Sequence, residues 1–172
     1  MAIHTSTYSM LQESLKELII VADYCIHYRK EKEPNLWNGT FGCYGFPGAL
    51  ILLSIADSIG SYKLNGSVEN HFKILIEPNF YNLKLSQKEI KVIYDYYRNS
   101  LCHNSALPPE VYLDIGEISS PIFRNQGSQY ILNLLPFLEI SKQAVKEFLS
   151  IPESELKDSH MIKKIGLKNR EL

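Results

Sequence analysis

The chain has 172 residues, 45% of them hydrophobic and 22% charged, the balance of a globular domain rather than of a disordered segment. Lys plus Arg total 18 and Asp plus Glu total 19, so the net charge of -1 excludes a protein that coats nucleic acid by charge alone. Three cysteines, Cys25, Cys43 and Cys102, form no C-x-x-C pair, which argues against a disulfide framework or a structural zinc site.

Reduced thiols in a cytoplasm fit that usage. Residues 1–9 lack the basic-then-apolar order of a secretory leader. The most apolar run, 49–56, is too short to cross a bilayer, so no membrane partner is expected. The expected fold class is mainly α. Residues 1–150 form one helical domain and 151–172 a short helical extension or tail.

The first predicted helix covers 8–32, with Leu11, Leu15, Leu18, Ile19, Ala22, Cys25 and Ile26 on one stripe and Thr7 or Ser9 as its cap. Residues 35–48 read as a loop rich in Gly, Asn and aromatics. Trp37 and the stretch from Phe41 to Phe46 form either a recognition loop or a packed Ω-loop. The second helix, 48–59, has Pro47 in its first turn and Gly60 at its C′ position. It is apolar nearly all round and therefore central. A third helix over 68–76 stops before Pro78. Ser86 with Glu89 forms a capping box that opens a fourth helix running to His103. Residues 110–134 change period, with Val111, Leu113 and Ile115 alternating with Tyr112 and Asp114, and predict a small hairpin or meander. A fifth helix over 136–149 turns Leu138, Val145, Phe148 and Leu149 inward. Beyond Pro152 a short helix leads to a modest basic tail with Lys163, Lys164, Lys168 and Arg170.

The fourth helix carries the chemistry. At 100° per residue, Ile90, Ile93, Tyr94, Tyr97 and Leu101 gather on a core face. Asn99 and His103 fall on the other side beside Val92 and Tyr96, and Arg98 lies between the faces within reach of His103. Arg matches phosphate oxygens with a planar fork, imidazole moves protons near neutral pH, and Asn can orient either the imidazole or a 2′-hydroxyl. RNA supplies its own nucleophile, so this set suits phosphodiester cleavage. Asp57, in an otherwise apolar helix, either bonds a neighbouring loop or lies at the cleft and orients Arg98. Tyr96 is a candidate to stack on a base. His27 and His71 stand isolated in the sequence, and Cys102 beside His103 points away from it on a helix.

Arg98-Asn99-Ser100-Leu101-Cys102-His103 resembles the R-x4-6-H signature of the HEPN superfamily, in the form with a polar residue after the Arg. The Tyr-rich lead-in, the following Asn104 and the earlier Leu-Leu-Ser-Ile-Ala-Asp-Ser-Ile-Gly helix agree with it. The resemblance implies an up-and-down bundle of four to five helices that forms a two-fold homodimer with a composite site. It also implies metal- and cofactor-independent cleavage of RNA to 2′,3′-cyclic phosphate and 5′-hydroxyl ends. Arg98 would then hold the phosphate, His103 would act as acid or base, and Asn99 would position them. Bacterial members often serve as toxins or defence ribonucleases, some beside an antitoxin protein. Others keep the fold as non-catalytic modules that bind nucleotide, RNA or a protein partner, and that alternative stays open. The insert at 110–134 and the C-terminal extension depart from the small toxin type. With so little net charge, phosphate contacts are expected to be few and the salt dependence shallow.

Overall fold

The computed structural model describes residues 6–64 and 66–156. The basic tail lies outside the described residues, as does most of the extension. The fold is mainly helical with one small sheet. No described helix is long and apolar enough to cross a membrane.

Helix α1 (Thr7–His27) starts at a capping box in which Ser6 and Ser9 satisfy each other's backbone N–H groups. The cap is therefore Ser6 rather than Thr7 or Ser9, and the helix ends before the polar residues that follow it. Of the expected stripe, Leu15, Ala22, Cys25 and Ile26 are buried. A single 3₁₀ turn (Lys30–Lys32) and the short α2 (Pro34–Trp37) lead into the aromatic loop.

Helix α3 (Gly45–Lys63) is the centre of the molecule and packs against α1 and later helices. Leu52, Leu53, Ile55 and Ile59 are fully buried, and each such side chain contributes about 1.5–3 kcal/mol. Gly60 does not end the helix, which continues to Lys63. The residue serves contact instead, because a Cβ at Gly60 would overlap the carbonyl of His71. Helix α4 (Val68–His71), capped by Ser67, presses its backbone onto α3 there. A 3₁₀ stretch (Phe72–Ile76) completes the third predicted segment.

The capping box at Ser86 and Glu89 opens α5 (Gln87–Val92) as expected. The chain then continues without a break through a π-helical stretch (Ile93–Asn99) into α6 (Ser100–Asn104). Ser105, in the left-handed region at φ 53, terminates it. Ile90, Ile93, Tyr97 and Leu101 are buried, as the wheel requires. Val92 is also buried, against the expectation that it flanks Asn99. The wider π turn advances each residue by less than 100°, so a regular wheel misplaces positions around it.

The insert folds as three strands, β1 (Val111–Asp114), β2 (Phe123–Gln126) and β3 (Gln129–Asn133), in the order β1-β3-β2. β2 and β3 form the expected hairpin, but β1 runs parallel to β3. This is neither a hairpin alone nor a meander. Alternation identifies the buried face, whereas strand order places the fully buried Leu132 between Leu113 and Phe123. Helix α7 (Leu134–Leu149) closes the core with Leu138, Val145 and Phe148, while Leu149 is only partly covered. A final turn, α8 (Glu153–Leu156), buries Leu156.

Candidate functional site

The site is built where α3, α4 and the π-helical stretch meet. The Asp57 carboxylate, on the central helix, divides its two oxygens between partners. Oδ1 lies 3.0 Å from His71 Nδ1 and Oδ2 accepts from Arg98 Nη2 at 3.3 Å. Arg98 Nη1 donates to Asn99 Oδ1 at 3.0 Å. The side chain of His71 is 8% exposed, that of Asp57 21% and that of Arg98 24%, so the chain runs from the interior to the surface and leaves one side of the guanidinium open. Pairs in such partly covered ground are stronger than exposed ones, because less water screens them.

Each link has a local cause. Gly60 admits the α4 backbone, and Asp57, one turn earlier on α3, faces the same neighbour. The π stretch carries Arg98 and Asn99 near its end, and Ser100 Oγ donates back to the Asp95 carbonyl five residues earlier at 3.3 Å. Interruptions of this kind recur at functional positions. The buried Tyr97 donates from its hydroxyl to the Tyr112 carbonyl at 3.2 Å and locks the helix to β1. Burial pushes its phenol well above the usual range, so it remains a neutral donor.

The structure thus joins Asp57, Arg98 and Asn99. Of the two readings for Asp57, the geometry favours the one in which it orients Arg98. The side chain of Arg98 turns to Asp57 and Asn99, where sequence spacing had it reaching toward His103. His103 stands on α6 and is exposed at the surface. Tyr96 is 42% exposed, with its ring 5.8 Å from that of Tyr130 on β3, and so belongs to the junction with the insert. His71 is the residue that sequence reasoning missed. It lies 14 positions from Asp57 and nothing in its neighbours marks it. Gly60, one turn from an Asp in an apolar helix, was the available signal of a close approach.

The cysteines are free, with Cys25 and Cys43 buried and Cys102 exposed. Among the described residues no group of three His, Cys, Asp or Glu side chains could hold a metal ion. Comparison of the chain with family models, with curated proteins and with solved structures gives no match.

Proposed function

We propose that the chain is an endoribonuclease of the HEPN type, active as a homodimer, with Arg98 and His103 as its catalytic residues. The observation that carries this reading is the Arg98 guanidinium held from behind by Asp57 and Asn99 on the helix that also presents His103 to solvent. A guanidinium fixed in this way keeps N–H donors for two phosphate oxygens and loses little freedom on binding. It is then preorganised for the charge that grows on those oxygens in the transition state.

In the reaction the RNA 2′-oxygen attacks the adjacent phosphorus while its proton passes to a base. The bond from phosphorus to the 5′-oxygen breaks, and that oxygen takes a proton from an acid. His103 fills one of these roles, and His103 of a second copy fills the other across the two-fold axis. Asn99 keeps the Arg98 fork in register. Asp57 acts through Arg98 and is a positioning residue.

The test is cleavage of mixed RNAs in chelator, with the ends identified. Arg98→Ala and His103→Ala should each lower the rate at least a hundredfold, and wild type should leave 2′,3′-cyclic phosphate. Wild-type rates in both variants overturn the proposal. A second reading, a non-catalytic module binding nucleotide or RNA, is favoured by the Asp57 carboxylate, which already takes part of the charge of Arg98. It predicts saturable binding without turnover. A role as toxin or defence protein with an antitoxin partner follows from the resemblance alone.

A further inference from the structure

Beside the motif helix lies a cavity of about 560 Å³ between the aromatic loop, β1 and the segment that follows α6. Its lining includes Phe41, Phe46, Leu107 and Val111, with Lys30 and Asp114 as its charged members. Phe41 is 75% exposed and Phe46 52%, an unusual outlay of aromatic surface in a monomer. Aromatic contacts tie together the two sides of the loop that carries them. Tyr28 stacks on Tyr44 at 4.1 Å, Trp37 donates to the Tyr28 hydroxyl at 3.2 Å, and Lys30 Nζ sits 4.7 Å above the Trp37 ring.

The cavity adjoins the end of the motif helix. Phe46 also lines a smaller hollow of about 230 Å³ with Leu50, Leu101 and Ser105, and Ala106 of the large cavity is the next residue in the chain. Along the helix, Arg98 and Asn104 are separated by on the order of 10 Å. Exposed His103 and Asn104 lie on that path.

We infer that this cavity receives an unpaired base of a single-stranded RNA whose backbone lies along α6, with Phe41 and Phe46 as stacking faces and Lys30 turned to a flanking phosphate. The inference rests on the ribonuclease reading above and names its substrate as single-stranded. The lining is mostly apolar, the charges of Lys30 and Asp114 oppose each other, and it is the aromatic faces that match a base. Stacking tolerates any base and needs few charges, as the net charge of -1 requires. Selectivity then comes from how a purine or a pyrimidine fills the space, not from hydrogen-bond readout.

The experiment uses a 2′-O-methyl RNA oligomer, which lacks the attacking hydroxyl and stays intact. Trp37 is the one tryptophan of the chain and sits against Lys30, so its fluorescence reports binding at the rim. Wild type should bind with a saturable change, Phe41→Ala and Phe46→Ala should each weaken binding roughly tenfold, and Ile118→Ala, 70% exposed elsewhere on the insert, should leave it unchanged. An abasic oligomer of equal length and charge should bind wild type no better than the intact oligomer binds the Phe variants. If both Phe variants bind as wild type while Arg98→Ala still abolishes cleavage, the base pocket is overturned and the ribonuclease reading stands. If wild type neither binds nor cleaves any RNA, both fall, whereas a peptide that takes the cavity in place of RNA overturns the base pocket alone.

Discussion

Gly60→Ala is the substitution on which the account of the site can be tested most sharply. In an ordinary exposed helix interior this change stabilises by about 1 kcal/mol, because alanine is the better helix former. Here the new Cβ would overlap the carbonyl carbon and oxygen of His71, both backbone atoms with no rotamer to yield. Overpacking of that kind costs up to about 3 kcal/mol. The net loss is about 2 kcal/mol, equivalent to a fall in Tm of about 4–8 °C for a chain of this size. The strain is relieved by moving α4 outward, which draws His71 away from Asp57 and loosens the carboxylate that holds Arg98. Thermal unfolding followed by circular dichroism, with RNA cleavage measured alongside, checks both halves. A rise in Tm would refute the reasoning, since it would mean that α4 does not rest on the glycine.

Three more expectations follow from the same contacts. Asp57→Ala leaves the buried His71 ring and the Arg98 fork without their shared acceptor, and should cost about 1–3 kcal/mol in denaturant unfolding. Asp57→Asn, which keeps an acceptor oxygen, should cost less. The Ser86 N–H and hydroxyl donate to Glu89 at 2.8 and 2.7 Å and hold its carboxyl below the usual range. The folded value is depressed, so the cap's stabilisation is present above the unfolded carboxyl pKa and is lost as pH falls through the folded one. At this exposed site it amounts to about 0.5–1 kcal/mol. Glu89→Ala should therefore lower Tm at neutral pH and make little difference in acid, and an offset that does not change with pH would contradict the assignment. Burial pushes the Cys25 and Cys43 thiols up, whereas Cys102 is exposed. A thiol reagent should label one residue quickly in the native state and the other two only on unfolding, with Cys102→Ser abolishing the fast phase.

Much of the helical framework was legible in the sequence because it is written in local, repeating terms. The stripe from Leu15 to Ile26, the all-round apolar character of α3, the box at Ser86 and Glu89, and the alternation from Val111 to Ile115 each lie within a few turns of chain. The residues Arg98, Asn99 and His103 could be singled out for the same reason, since one helix carries all three.

Tertiary structure alone decided the rest. Periodicity tells which face of a strand is buried but not which strand lies in the middle, so the parallel pairing of β1 with β3 had no signature. A wheel assumes a constant turn, so the π stretch and the burial of Val92 could not be read from it. The glycine at 60 looked like a helix end because chain position shows a missing side chain, not the backbone that fills the gap. His71 looked isolated because its partner lies on another helix, brought close only by that gap. Local composition fixes which surfaces each helix must bury. Whether a carboxylate on one helix meets an arginine and a histidine on two others depends on the distances between helices, and those are set by packing the whole core.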